Sequence, residues 1–164
     1  MDSIFQDPEK ETSSTEPDED VIAQVRSGAN WFYWIAGLSL VNSAIYAFGG
    51  DISFILGLAI TQVVDGIADA SIVEGAPAGL KLIAVGIDLV IAFIFILFGY
   101  FANKGLAWAF IVGSVVYIFD GLIYLLFDSM FAAAFHAFAL FFIIRGFLAS
   151  RKLKQFIATY PATP

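Results

Sequence analysis

The sequence predicts an all-α integral membrane protein, a polytopic bundle of five hydrophobic helices, and three observations lead to this prediction. Of the 164 residues, 60% are hydrophobic and 14% are charged, whereas soluble domains carry about 25% charged residues. The apolar residues form five stretches separated by very short breaks. Charge is concentrated outside these stretches, because eight of the 15 acidic residues lie in the first twenty positions.

Three regions follow from this distribution. Residues 1–28 are rich in Asp, Glu, Ser and Thr and contain Pro8 and Pro17, so they bury too little apolar surface to fold and we expect a disordered acidic tail. Residues 29–150 form the predicted helix bundle, and residues 151–164 form a short basic C-terminal tail. No basic patch is available to neutralise phosphates, so nucleic acid is not an expected partner. The lack of cysteine excludes disulfides and thiol catalysis.

Four of the five stretches have the length of about 20 residues that a membrane-spanning helix needs. They cover residues 31–48, 80–102, 106–127 and 130–148. The second stretch, residues 52–73, is less apolar and carries Gln62, Asp65 and Asp69 on one helix face. An Asp at the centre of a helix costs about 2.5–3.5 kcal/mol on insertion scales. This stretch therefore either spans the membrane shielded by its neighbours or is re-entrant.

Two arguments disagree about the second stretch. The positive-inside rule places Lys104 and the basic C-terminus in the cytoplasm, and a re-entrant second stretch would add Arg26 to that side and leave only Lys81 outside. Against this, QVVDGIA at residues 62–68 resembles YIFDGLI at residues 117–123. The similarity indicates a duplicated hairpin, in which the second stretch spans as the fourth does. The duplication leads us to favour five spans.

Ionisable residues within apolar helices give the strongest functional indication. Asp88, Asp120 and His136 each lie seven or eight residues from a turn at the same predicted membrane face, roughly 10–13 Å deep. Asp65 joins this layer if the second stretch spans. Such a layer either holds the bundle together through hydrogen bonds or binds protons or cations. On the structural interpretation, which we prefer, Asp120→Asn would keep the hydrogen bonds and the stability.

Small residues on the first helix predict a surface for close helix packing. Ala36, Ser39, Ser43 and Ala47 recur at a spacing of three or four residues and therefore share one face. This face would contact another helix of the same chain or of a partner.

His136, the only histidine, lies in the sequence AAAFHAFALFF. The spacing A-x-x-x-H of residues 132–136 is similar to the chlorophyll-ligating stretch of bacterial light-harvesting polypeptides, and this resemblance implies a chlorophyll-type pigment at His136. A core histidine paired with Asp120 or Asp88 is the alternative that we favour. One histidine excludes a haem held by two histidines of this chain. No HExxH, P-loop or nucleophile elbow occurs, so we expect no catalytic residue, no metal and no other cofactor.

The hydrophobic body resembles a family of small bacterial multi-helix integral membrane proteins that has no assigned activity. The resemblance covers about residues 30–147 and is carried by NWFYWIAGLSLVNSAIYAFGGDISFILGLAITQVVDGIA, FANKGLAWAFIVGSVVYIFDGLIYLLF and FHAFALFFIIRGF. It implies a membrane helix bundle in the bacterial inner membrane and no functional site.

The leading functional hypothesis is a non-enzymatic membrane subunit that scaffolds or stabilises a larger complex. Its partners would be membrane lipids and other membrane proteins or further copies of itself. The alternative is a small proton- or cation-coupled transporter or channel that uses the carboxylate and histidine layer, and a further alternative is a pigment-binding subunit. The rotation of each helix about its axis discriminates between the scaffold and the transporter. Carboxyls that hydrogen-bond to neighbouring helices favour the scaffold, and carboxyls that converge on one another favour transport.

Overall fold

In the computed structural model of the protein, residues 18–49 and 57–160 are described, and five helices account for their regular structure. The helices are α1 (Glu19–Ala47), α2 (Ala59–Val73), α3 (Leu80–Asn103), α4 (Ala107–Leu126) and α5 (Met130–Thr159). No strand occurs within these two ranges. The all-α prediction is therefore confirmed for this part of the chain.

The outer boundaries of the bundle differ from the predicted ones. Predicted disorder over residues 1–28 is wrong from Glu19 onward, because α1 begins there, and residues 1–17 lie outside the described ranges. Asp18 accepts a hydrogen bond from the Asp20 backbone N–H at 3.0 Å, and acidic side chains stabilise the first turn of a helix. At the other end α5 continues to Thr159, so most of the predicted basic tail is helical.

Three helices, α3, α4 and α5, are long and apolar enough to cross a membrane. The sequence predicted four certain spans. The helix α1 has ample length, with 29 residues, but Asn30, Asn42 and its serines reduce its hydropathy. The helix α2 has 15 residues, which is shorter than a span requires. Length and composition therefore support an integral membrane protein with three clear spanning helices.

The helix α1 runs antiparallel to α3. In the first half of α1, Asn30 Oδ1 accepts a hydrogen bond from Asn103 Nδ2, at the end of α3, at 3.4 Å. Near the end of α1, Ser43 Oγ donates to Asp88 Oδ2, in the first half of α3, at 2.7 Å. The end of α1 and the beginning of α3 therefore lie at the same end of the bundle.

The helix α5 runs antiparallel to both α1 and α4. Trp31 in α1 stacks on Phe142 with ring centroids 5.3 Å apart. Nearby, a Cβ added to Gly146 would lie 2.7 Å from Gly28 Cα, so the backbones of α1 and α5 cross in close contact. His136, early in α5, contacts the second half of α4. The four long helices therefore alternate in direction.

The bundle has two chemically different ends. At the end that we call the α2 end, α1 and α4 finish and α3 and α5 begin, and Lys81 is its one cation among the described residues. At the opposite, basic end, the chain turns from α3 to α4 through Gly105, which has a φ of +73°. The cations of the basic end are Arg26, Lys104, Arg151, Lys152 and Lys154.

The helix α2 does not traverse the bundle. It connects α1 to α3, whose adjoining termini both lie at the α2 end, and its first residues, Leu58 and Ala59, are buried. The connection from α1 to α3 therefore begins and ends at the α2 end of the bundle. The predicted fifth span is not found, because α2 has 15 residues and is too short to span a membrane, and the re-entrant alternative stays a prediction. The local similarity between residues 62–68 and 117–123 is not accompanied by a similar path through the bundle.

The core beside the polar residues is aromatic. Phe32 lies against Phe95, Phe98 and Phe110, with ring centroids 6.0–6.3 Å apart. A Cβ on Gly113 would lie 2.5 Å from Phe32, so the ring occupies the space left by this glycine. These four rings, which we call the Phe32 cluster, fill the bundle between the polar residues and the basic end.

Candidate functional site: two carboxyl clusters joined by α2

The four polar residues of the predicted layer form two separate pairs. Asp120 and His136 lie together between α4 and α5, with His136 Nε2 2.9 Å from Asp120 Oδ2. Asp65 and Asp88 lie together between α2 and α3, close enough for the two carboxyls to interact directly. The predicted pairing of His136 with Asp120 is therefore present.

Asp120 caps the N-terminus of α2 from another helix. Its Oδ2 accepts from the Ala59 backbone N–H at 2.9 Å and its Oδ1 accepts from the Ile60 N–H at 3.0 Å. The residue before α2, Leu58, has no side chain that could cap the helix. The positive end of the helix dipole also favours a negative carboxylate at this position. Asp120 thus fixes the buried beginning of α2 to α4.

The hydrogen bonds of His136 define how many protons the pair holds. Its Nδ1 lies 2.9 Å from the Ala132 carbonyl oxygen, which only accepts, so Nδ1 carries a hydrogen. Its Nε2 lies against Asp120, and one further proton lies between these two groups. The pair is therefore neutral in sum, either as imidazolium and carboxylate or as imidazole and carboxylic acid. Both forms satisfy a polar pair that is almost fully buried.

The imidazole of His136 is enclosed on its faces as well as at its nitrogens. Tyr117 stacks on it at a centroid distance of 4.2 Å, and a Cβ on Gly121 would lie 3.1 Å from the ring. Ala132 of the A-x-x-x-H spacing and Ala139, about one turn after His136, are both buried in the bundle, so they leave no open space beside the imidazole for a pigment. A pigment metal needs a free imidazole nitrogen, and both nitrogens of His136 have protein partners.

The second pair, Asp65 and Asp88, has buried oxygens that accept no hydrogen bond. Asp88 is only 1% exposed, and its Oδ2 accepts the hydrogen bond from Ser43. Its Oδ1 and the Oδ1 of Asp65 are both buried and have no hydrogen-bond donor. Two ionised carboxylates in contact repel each other strongly in an apolar environment. A proton shared between them, or a bound cation, removes that repulsion and supplies the missing partner.

Polar side chains lead from this pair toward the α2 end. The Tyr46 hydroxyl lies 3.0 Å from Asp69 Oδ1 and 3.3 Å from the Asp65 carbonyl oxygen, and its single hydrogen serves one of them at a time. Lys81 Nζ lies 4.4 Å from the centroid of the Tyr46 ring. Asp69 is exposed. The pair is therefore linked to the surface on the α2 side and separated from the basic end by the Phe32 cluster.

Three of the four residues in the predicted packing face lie inside the monomer. Ala36, Ser39 and Ser43 are buried, and Ala47 is exposed. The serines do more than permit close packing, because Ser39 Oγ accepts from the Leu58 N–H at 2.9 Å and Ser43 binds Asp88. This face of α1 thus supports both the entry of α2 and the carboxyl pair.

Two tyrosines of the site were not identified from the sequence. Tyr124 Oη accepts from Gln62 Nε2 at 2.7 Å and donates to the Gly57 carbonyl oxygen at 3.0 Å. Tyr46 lies between the Asp65–Asp88 pair and the surface at the α2 end. Tyr124 follows Asp120 by four residues and therefore shares its helix face, a spacing that would have indicated it. Nothing in the sequence near Tyr46 indicates its contact with α2.

Comparisons with known proteins leave the chain without a family assignment. No family model matches it, and neither curated proteins nor solved structures gave a match. Among the residues described, no group of three or more His, Cys, Asp or Glu side chains could hold a metal ion. The resemblance to small bacterial membrane proteins stays a prediction.

Proposed function

We propose that the protein is a small proton- or cation-coupled membrane transporter or channel in which Asp65 and Asp88 bind the ion. One observation carries this proposal: two adjacent carboxyls, one from each of two helices, have buried oxygens without a donor. Ionisable side chains inside apolar helices are costly and mark ion and proton pathways. By contrast, Asp120 is fully occupied by backbone donors and His136, so we assign it a structural role.

The chemistry around the pair favours a proton or a monovalent cation. The atoms nearest to an ion between the carboxyls are oxygens, those of the two Asp side chains and the Ser43 hydroxyl. Oxygen ligands suit hard cations, and two carboxyls that share a single proton are a known arrangement for adjacent acids. Divalent ions are less suitable, because the described residues include no group of three or more Asp, Glu, His or Cys side chains that could hold a metal ion.

The proposed topology has four passes, α1, α3, α4 and α5, with α2 re-entrant. It includes α1, which is less apolar, because α1 lies between α3 and α5 and runs antiparallel to both. The positive-inside rule then places the basic end and both termini in the cytoplasm and leaves Lys81 outside. We place the protein in the bacterial inner membrane on the strength of the family resemblance. The ion site opens to the outer side.

A discontinuous helix beside the ion supports a transport mechanism. In many transporters, helices that begin within the membrane form the ion site, and one half of the protein moves to change the side of access. Here α2 begins in the bundle and carries Asp65, while the Phe32 cluster closes the path to the basic end. Transport would require α2 or these rings to move, and the arrangement corresponds to a state with access from one side.

Reconstituted vesicles test the proposal. The wild-type protein should dissipate a pH gradient or take up Na⁺ or K⁺ faster than protein-free vesicles, and Asp88→Asn should abolish this flux with the fold intact. Asp128→Asn is the matched control, because Asp128 is exposed in the turn after α4 and lies outside both the pair and the polar route to the surface. Infrared difference spectra should contain a protonated carboxyl band that Asp65→Asn and Asp88→Asn both remove. Unchanged flux in Asp88→Asn would contradict the assignment.

Topology is tested separately by single-cysteine labelling, because the chain has no native cysteine. A cysteine at Glu74 should react with an impermeant reagent from outside, and cysteines at Lys104 and Ser14 should not. External labelling at Ser14 alone would require an odd number of passes and would contradict the re-entrant α2.

A scaffold subunit of a larger complex is the second candidate function. It is favoured by the internally satisfied Asp120–His136 pair and by large aromatic side chains on the outer surface, such as Trp34 and Phe131, which are 66% and 68% exposed. Native mass spectrometry in mild detergent tests it. A monodisperse monomer without associated proteins in detergent and in lipid nanodiscs would reject the scaffold and leave the ion site as the proposed function.

A further inference from the structure

A groove with three cations lies between α1 and α5 toward the basic end. Its volume is about 370 Å³, and it is lined by Gln24 from α1 and by Arg145, Leu148, Ala149, Arg151, Lys152 and Gln155 from α5. The close crossing of Gly28 and Gly146 forms its inner limit, since a Cβ on Gly146 would lie 3.3 Å from the Gln24 carbonyl oxygen. The groove is thus a consequence of the helix crossing.

The three cations of the groove are not neutralised by the described part of the chain. Within residues 18–49 and 57–160, no carboxylate lies within 4.0 Å of Arg145, Arg151 or Lys152, and the one ion pair recorded there is Asp120–His136. Arg145 lies over the Phe141 ring, with Cζ 5.8 Å from the centroid. Such stacking orients a guanidinium and leaves its N–H donors available to an anion.

The groove lies at the depth of lipid headgroups if α5 crosses the membrane as proposed. Arg145 is 15 residues from Met130, or roughly 22 Å along the helix, and Arg151 is roughly 31 Å along it. The hydrocarbon core is about 30 Å thick, so these side chains lie on either side of its boundary. Leu148, half-exposed between them, offers an apolar surface next to the charges.

We propose that this groove binds the phosphate of an anionic phospholipid. The guanidinium groups of Arg145 and Arg151 match phosphate oxygens in geometry and charge, and Lys152 adds a third cation. The acyl chains would follow the apolar surface of α5 toward the bilayer centre. Basic pockets between membrane helices on the cytoplasmic side bind anionic headgroups by this chemistry. This inference rests on the proposed membrane orientation and is independent of the ion site.

Native mass spectrometry of the full chain tests the proposal by comparing retained phosphatidylglycerol with retained phosphatidylcholine. Each cation near a phosphate favours the anionic lipid about fivefold, so three give a preference of roughly a hundredfold. The variant Arg145→Gln/Arg151→Gln/Lys152→Gln should lose most of it. The matched control, Arg26→Gln/Lys104→Gln/Lys154→Gln, removes the same charge from the same end outside the groove and should keep it.

Three results would overturn the proposal, and the first needs no variant. Equal retention of the two lipids by the wild-type protein would reject a headgroup site. If the two triple variants lost the preference for phosphatidylglycerol equally, anionic lipid would be attracted to the basic end as a whole and not to the groove. The acidic tail is the competing occupant, so the five acidic residues of positions 1–17 are also replaced by their amides. A preference that appears only in this tail variant would assign the groove to the tail. Flux through Asp65 and Asp88 is measured separately.

Discussion

The same substitution, Asp to Asn, should lower the stability at Asp120 and leave it nearly unchanged at Asp88. Each oxygen of Asp120 accepts a backbone N–H, from Ala59 at 2.9 Å and from Ile60 at 3.0 Å. An Asn side chain has a single acceptor oxygen, so its NH₂ group would face one of these donors. A buried donor without an acceptor costs about 1–3 kcal/mol. The expectation from the sequence that Asn is tolerated is therefore revised.

Leucine at Asp120 should be worse than asparagine. It removes both acceptors, and two orphaned N–H groups cost roughly 2–6 kcal/mol in the free energy of unfolding. With about 2–4 °C per kcal/mol for a chain of this size, the melting temperature should fall by roughly 2–12 °C for Asn and 4–24 °C for Leu.

At Asp88 the amide reproduces the protonated, uncharged form of this one carboxyl. The Asn oxygen accepts from Ser43 Oγ, which lies 2.7 Å from the carboxyl oxygen it replaces, and its NH₂ group donates to Asp65. No donor or acceptor loses its partner. We therefore expect the stability of Asp88→Asn to lie within about 1 kcal/mol of the wild type, although its ion binding is lost.

Thermal unfolding in one detergent, followed by circular dichroism, compares the three variants with the wild type. The order of melting temperatures should be wild type and Asp88→Asn together, then Asp120→Asn, then Asp120→Leu. Equal melting of Asp120→Asn and the wild type would refute the capping of α2 by two carboxylate oxygens. A melting temperature for Asp88→Asn as low as that of Asp120→Leu would refute the shared proton.

Two further predictions concern packing. Gly146→Ala should separate α1 from α5 and destabilise the fold by at least about 1–3 kcal/mol, because its Cβ would lie 2.7 Å from Gly28 Cα. Gly37→Ala is the control, because no atom lies within 4 Å of the added Cβ. The control variant should unfold at or slightly above the wild-type temperature. Tyr117→Phe should leave the stability unchanged or raise it by about 1 kcal/mol, because the buried Tyr117 hydroxyl has no partner; a marked loss of stability in the same melting assay would indicate an unrecognised acceptor.

Helix positions were more predictable from this sequence than helix paths. The turns at Gly105 and Asp128 separate α3, α4 and α5 near the predicted positions, because Gly and Asp adopt the positive φ that these turns require. The path of α2 was mispredicted, since a local similarity of seven residues carries no information about which neighbours a helix meets. The position of its first turn depends on hydrogen bonds to Asp120 and Ser39, which belong to other helices.

The sequence by itself determined the helical class, the apolar lengths of α3 to α5 and the approximate depth of Asp88, Asp120 and His136. These properties follow from composition and from the fixed rise per residue of a helix. Only the tertiary structure decided how the polar residues are paired. Rotation about each helix axis depends on packing against neighbouring helices. This rotation separates Asp120, whose two oxygens both accept hydrogen bonds, from Asp88, which has one buried oxygen without a donor.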